Sequence, residues 1–590
     1  MKAKLPKALL YAIIAASMTS TTTFAATKAE DIEMRGTHSP VDIINVAAGK
    51  EIAIESDSAE TAPTQYSVVA KDGEGTATIT GNVTKYHALM VREGEVTVGD
   101  GNTSTSLTVK PSFAGASNYR TGISVAGKNA QLTVNKASVS FATSETQLSV
   151  GGGSGNGTIT IDNGSTVNLD NAHLITVGDQ YWVDGTYTTK TSDTPYRGSY
   201  TVSPIDNKTI LGKGVINVQG ESKLSVGNGM GRDYGSAWMG EGEINVTGKN
   251  SSATFCEKDG GYRFIMNEDE MSTSSINVKE GASSVINFAL VYTNFRKNTI
   301  ANITVDGASS SLIIGNTTTK KYNSETHIAG KNLENTVANI NITEGGNIDF
   351  RSKDTILGSE SGSATVNFKV DSKSSASFVN ATINRGTVLD NEGTITAASI
   401  VMNGGILYND GIIESNMKMF GGTYIGDGSA DQFGGSEFTI LDGAVVEGLT
   451  MTSGTVNISG TVTLTDVTFG SIVAAANFLM SGDAGSALTI NITNGSTINA
   501  DDVTIGDGAA ITLVLDETDT TGSVTIIGSN EEAIATLMDS LKDKINVVDA
   551  SGNTVEGASY DINTQVVPEP TTATLSLLAL CGLAMRRRRK

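Results

Sequence analysis

Ser275-Ile-Asn-Val-Lys-Glu-Gly281 is followed one spacing later by Asn302-Ile-Thr-Val-Asp-Gly307 and then by Asn339-Ile-Asn-Ile-Thr-Glu-Gly345. The same phrase stands earlier as Thr158-Ile-Thr-Ile-Asp-Asn-Gly164, Val215-Ile-Asn-Val-Gln-Gly220 and Glu243-Ile-Asn-Val-Thr-Gly248. Each copy alternates apolar and polar residues and stops at glycine. A period of two places Ile276 and Val278 on one face of a strand and Asn277 on the other. The lead isoleucines 216, 244, 276 and 303 recur every 27 to 32 residues. A repeat of that size, made of short strands and glycine turns, predicts an all-β parallel β-solenoid, or β-helix. Each coil of about 28 residues would lie about 4.8 Å above the last. Inward Ile, Val, Leu and Phe would stack into a core, and outward Asn, Thr and Ser would face water.

A second strand follows each first one: Val167-Asn-Leu169, Leu224-Ser-Val226, Val285-Ile-Asn-Phe288, Leu312-Ile-Ile-Gly315 and Ile348-Asp-Phe350. Glycine at the corners supplies the positive φ of tight turns. An immunoglobulin-like array would need longer hairpin-linked strands and units of about 100 residues, and the chain has neither. One helix is expected late in the chain. Ser529-Asn-Glu-Glu532 has the layout of a capping box, and Ile534, Leu537, Met538 and Leu541 form one apolar stripe. Its expected role is to cap the open end of the solenoid, with an insertion inside a coil as the alternative.

Composition suits an extracellular scaffold. The 590 residues include 66 Gly, 5% aromatic and 18% charged residues, with a formal charge of −22. The termini hold eight cations and no acid, so residues 26–570 carry 33 basic against 63 acidic groups. Such a body has no basic field for nucleic acid. Cys256 and Cys581 are the two cysteines, too few for an internal disulfide framework.

The ends read as addresses. Lys2, Lys4 and Lys7 precede an apolar run from Ala8 to Met18 and the small-residue site Thr23-Phe24-Ala25. Residues 1–25 are therefore expected to be a secretory signal peptide, handled by the secretion machinery and signal peptidase. At the other end, Val567-Pro568-Glu569-Pro570 leads into the apolar stretch Thr571–Met585 and then Arg586, Arg587, Arg588, Arg589 and Lys590. This predicts a short transmembrane helix held by a cytoplasmic basic cluster.

These three parts resemble the PEP-CTERM sorting signal of Gram-negative bacteria. The resemblance covers residues 567–590 and implies recognition and cleavage near Pro570 by an exosortase-like membrane transpeptidase. It further implies a place at the cell surface or in an exopolysaccharide matrix. The repeat body is similar to autotransporter passengers. The expected organisation is thus signal peptide 1–25, solenoid 26–528, helix-containing cap 529–566 and sorting segment 567–590.

Chemistry is sparse. His38, His87, His173 and His327 are widely separated and read as turn or surface residues, so no zinc motif exists. There is no Gly-x-Ser-x-Gly elbow. Asp100, Asp162, Asp427 and Asp507 fall in turns and read as turn formers. No catalytic residue, metal or cofactor is expected. Two inserts break the repeat: Asp179–Ser203, with Tyr181, Trp182, Tyr187 and Tyr196, and Asn228–Glu241, with Arg232, Tyr234 and Trp238. Both follow a Val-Gly strand end and are expected on one edge of the solenoid. Their aromatics could stack on sugar rings; packing against the solenoid is the plainer reading. The function expected is that of a non-enzymatic surface or matrix protein, an adhesin or structural component touching a glycan or exopolysaccharide. The alternative is a polysaccharide lyase or hydrolase on the same scaffold.

Overall fold

The computed structural model describes residues 27–29, 41–54, 67–109, 120–178, 212–227, 236–469 and 489–566, apart from short turn segments within those ranges. The remaining residues, including the signal segment and 567–590, lie outside the described residues. The fold is all-β with long parallel ladders, an arrangement consistent with a β-solenoid. Among the described residues no helix is long and apolar enough to cross a membrane. The chain divides into two units, Met1–Thr355 with Ser363–Val366, and Ile356–Gly362 with Asn367–Lys590.

In the first unit three ladders run side by side. The first joins Gly157–Asp162, Gly214–Val218, Gly242–Thr247, Thr273–Lys279, Ile300–Asp306 and Thr336–Thr343, all parallel. Its register is the alignment read from the sequence: Ile159, Ile216, Ile244, Ile276, Ile303 and Ile340 form one column. Each of these isoleucines is buried, and full burial of such a side chain contributes about 2 kcal/mol. The outward column is not merely solvated. Asn277 Nδ2 donates to Asn245 Oδ1 at 2.8 Å, and Asn245 Nδ2 to Asn217 Oδ1 at 2.9 Å. A second amide pair links Asn339 Nδ2 to Asn302 Oδ1 at 3.0 Å. Identical side chains in register bond along the ladder as the backbone does.

The second ladder joins Thr166–Leu169, Lys223–Val226, Ser252–Phe255, Ser283–Ile286, Ser311–Ile314 and Asn347–Phe350. The corner before it carries buried Ser165, Ser222, Ser251 and Ser310. Their hydroxyls bridge coils: Ser222 Oγ accepts from Ser165 N at 3.1 Å, and Ser310 Oγ from Gly281 N at 2.9 Å. One expectation needs correction here. Val285-Ile-Asn-Phe288 is not a single strand. Ser284 and Ile286 point inward beneath Leu312 and Ile314, Val285 is half-buried, and Phe288 opens the next strand. Ser284 is tolerated inside because its Oγ donates to Ala253 O at 3.1 Å.

The third ladder was not foreseen as a separate strand set. It joins Thr146–Val150, Ala172–Val177, Ser236–Met239, Gly261–Met266, Phe288–Tyr292 and Glu325–Ile328. The Val-Gly steps at 150 and 177 end strands of this ladder. Inside, Phe264 packs against Phe255 and Phe288 with centroids 6.5 and 5.5 Å apart. Buried Asn267 and Asn294 hold its exit corner, each at positive φ. Asn294 Nδ2 donates to Thr299 O and to Val337 O of the next coil, both at 3.0 Å.

The second unit uses a shorter coil than the predicted 28 residues. Ile395 pairs with Ile413 and Leu407 with Tyr424, a repeat of about 18 residues in which each strand lies directly on the next. The turns joining these strands are tight, as at Gly404-Gly405 and Gly421-Gly422, all with positive φ. The helix Glu531–Leu541 buries Ile534, Leu537 and Leu541, as its stripe predicts. It does not close the chain of strands. Ile545–Val548 follows it and adds to Ala510–Val514, and Ser559–Val566 adds to Thr521–Gly528.

Cys256 is buried at a positive-φ corner of the first unit, and burial pushes its thiol up to about 12. In the native chain at pH 8 it should alkylate about a thousandfold more slowly than an unperturbed thiol, since each pKa unit removes tenfold of thiolate. Peptide-resolved labelling with and without denaturant measures this. Native labelling at the free-thiol rate would contradict the buried corner.

Candidate functional site

The third ladder departs most from the Ile-x-Val repeat, and its outer face collects the unusual side chains. Parallel register places Thr176, Trp238, Ile265, Tyr292 and His327 in one column, one coil apart at each step. Trp238 to His327 therefore spans about 14 Å by strand spacing. Trp238 and Tyr292 are half-buried, while Ile265 is covered.

Around this column the aromatic and charged groups are tightly paired. The Tyr292 ring stacks on His327 at 5.1 Å and meets Phe295 edge-on at 5.9 Å. His327 Nε2 lies 2.9 Å from Glu325 Oε2. The Arg263 guanidinium covers the Tyr262 ring at 4.5 Å, and its Nη2 donates to the Tyr262 hydroxyl at 2.7 Å. Arg296 covers the Phe295 ring at 5.3 Å, donates from Nε to Glu268 O at 3.0 Å, and pairs with Glu268 Oε1 at 3.1 Å. Burial raises the Glu268 carboxyl above its ordinary range, against the opposing pull of Arg296 and Arg263. Burial, with the nearby Glu325 charge, likewise raises the Tyr292 phenol.

Sequence reasoning found part of this face. Trp238 belongs to it, but as a residue of strand Ser236–Met239 between buried Ala237 and Met239, not as part of a loop. His327 is neither a turn nor a surface residue: it is buried in strand Glu325–Ile328. Tyr262, Arg263, Tyr292 and Phe295 were missed, because each stands in a strand or corner whose ladder had not been recognised. Tyr181, Trp182, Tyr187, Tyr196, Arg232 and Tyr234 lie outside the described residues, as do Val567, Pro568, Glu569, Pro570 and Arg586 to Arg589.

The anchor points of the two inserts are described, and they correct the expectation of a common edge. Residues 179–211 follow the end of third-ladder strand Ala172–Val177, whereas residues 228–235 precede the start of third-ladder strand Ser236–Met239. These two strands are parallel neighbours. The anchor points of the inserts thus stand at opposite edges of the third ladder. The Val-Gly step marks a strand end in two different ladders, so it could not tell one corner from the other.

Three of the four turn aspartates behave as read, and Asp507 lies outside the described residues. Asp100 Oδ1 accepts from Asn102 N at 2.8 Å, Asp162 Oδ1 from Asn163 N at 2.6 Å, and Asp427 Oδ1 from Ser429 N at 2.8 Å. Among the described residues no three His, Cys, Asp or Glu side chains converge as a metal ion would require. No family model and no curated protein matches the chain.

Proposed function

We propose that this chain is an exported β-solenoid of the cell surface or extracellular matrix, acting as an adhesin or structural component that contacts glycan. Its PEP-CTERM-like tail would be processed by an exosortase-like enzyme. The observation that carries the glycan reading is the outer face of the third ladder. Half-buried Trp238 and Tyr292 alternate with covered Ile265 along adjacent coils, between the anchor points of two aromatic inserts. Rings held at fixed depth on a rigid sheet bind sugar faces with little ordering cost.

The test is retention of the full chain on a panel of mucins and bacterial polysaccharides, scored together with new reducing or unsaturated ends. Retention without new ends is expected. Trp238→Ala and Tyr292→Ala should each weaken it about five- to tenfold, the effect of losing roughly 1 kcal/mol of aromatic contact. New chain ends would replace the adhesin reading with a lyase or hydrolase. No retention on any polymer would remove the glycan reading.

A further inference from the structure

The same face constrains the chemical class of its ligand, an inference that rests on the glycan reading above. We propose that it takes a neutral, hydroxyl-rich saccharide and rejects uronate and sulfated polymers. An anionic sugar is held by an uncompensated cation, and Arg296, the guanidinium that stands exposed beside this face, is already paired. Arg296 is pinned by both the side chain and the backbone carbonyl of Glu268, at 3.1 and 3.0 Å. Arg263 lies over the Tyr262 ring and spends an Nη2 on the phenol oxygen, its Nε is buried without a hydrogen-bond partner, and its charge acts on the Glu268 carboxyl. His327 faces the Glu325 carboxylate at 2.9 Å. Lys297 is exposed at the tip of the Arg296 turn, and the next corner approaches that turn through Asn298 N to Glu334 O at 3.2 Å.

Among the described residues of the face and its corners, Arg263, Arg296 and Lys297 stand with Glu268, Asp269, Glu270, Glu325 and Glu334, so their balance is not positive. The whole chain adds a formal −22, which repels a polyanion before contact. What the face does offer is ring surface at Trp238 and Tyr292 and the donor–acceptor pairs just named, with Arg263 Nε and Glu268 Oε2 buried and taken by no hydrogen-bond partner. A hydroxyl both donates and accepts, so it can join such pairs without leaving a charge buried and unmatched.

The experiment compares retention of the full chain on a neutral glucan or galactan with retention on a uronate polymer and a sulfated one, at low and high salt. Neutral polymers should be retained with less than about twofold change in affinity between the two salt conditions, because screening acts on charge. Glu268→Gln should release Arg296 and create salt-sensitive retention of the uronate polymer, at least threefold above the parent. Arg296→Gln, which also breaks the ion pair, should not create it. Salt-sensitive binding to acidic polymers alone by the parent chain would overturn this inference and leave the glycan reading standing. Binding to neither class would overturn both. A Glu268→Gln chain that folds, by circular dichroism, yet gains nothing would refute the claim that Arg296 is masked.

Discussion

Ile276→Asp should abolish the cooperative unfolding transition of the first unit. Ile276 is 1% exposed and stacks between Ile244 and Ile303 in the first ladder. The substitution removes about 2 kcal/mol of apolar burial and places a carboxylate where no partner exists, at a further cost of several kcal/mol. The total approaches the whole margin of a typical domain, about 5–15 kcal/mol. In a stack of coils the damage also spreads, because each coil is held by its neighbours. The control is the next residue. Asn277→Asp faces outward and removes one amide bond, Nδ2 to Asn245 Oδ1 at 2.8 Å, worth about 1 kcal/mol. Thermal melts followed by circular dichroism and limited proteolysis separate the two. An Ile276→Asp chain melting within a few degrees of the parent would contradict the core column.

Gly178→Ala should destabilise the first unit by about 3 kcal/mol or more, in the range reserved for strain and steric overlap. Gly178 has φ +67°, and an added Cβ would lie 1.9 Å from Glu241 O. The backbone cannot yield cheaply there. Gly178 N donates to Val150 O at 2.8 Å and Gly178 O accepts from Glu241 N at 2.9 Å, so a shift would break bonds to both neighbouring coils. Gly164→Ala is the matched comparison. Gly164 has φ +72° but nothing within 4 Å of its added Cβ. Its cost is the left-handed backbone alone, about 1–2 kcal/mol. Urea titrations of the two variants should differ in midpoint, with Gly178→Ala the lower. Equal midpoints would mean that conformation, not close approach, governs the corners.

The two pairs of variants also mark how far the sequence can be read. Ile276 and its counterparts were assigned to one column from spacing alone, and the register agrees residue by residue, because a strand buried on one face tolerates no slip. Both glycines, by contrast, look alike in the sequence: each ends an apolar strand. The difference between them is a carbonyl of Glu241, 63 positions away from Gly178, brought into contact by the coil.

The candidate face falls on the harder side of that line. Trp238 was noticed because it is one of two tryptophans. Tyr292 was not, and His327 was read as a turn or surface residue, since the third-ladder strands Ser236–Met239, Phe288–Tyr292 and Glu325–Ile328 share no phrase. Their common feature is position in a ladder, which exists only after the coil closes. The 18-residue coils of the second unit were hidden for a related reason. Its strands keep the alternation, but loop length, which sets the period, carries no apolar signal.

By itself the sequence determined the all-β class, the inward column of the first ladder, that of the second apart from Val285–Phe288, the turn roles of Asp100, Asp162 and Asp427, and the apolar stripe of the helix. Those features depend on local periodicity and backbone chemistry, which a linear chain displays in full. Only the tertiary structure decided that a third ladder exists, that the two inserts are anchored at its opposite edges, and that Trp238, Tyr292 and His327 form one face. These are matters of which coil lies on which, and that is settled by contacts between residues far apart in the chain.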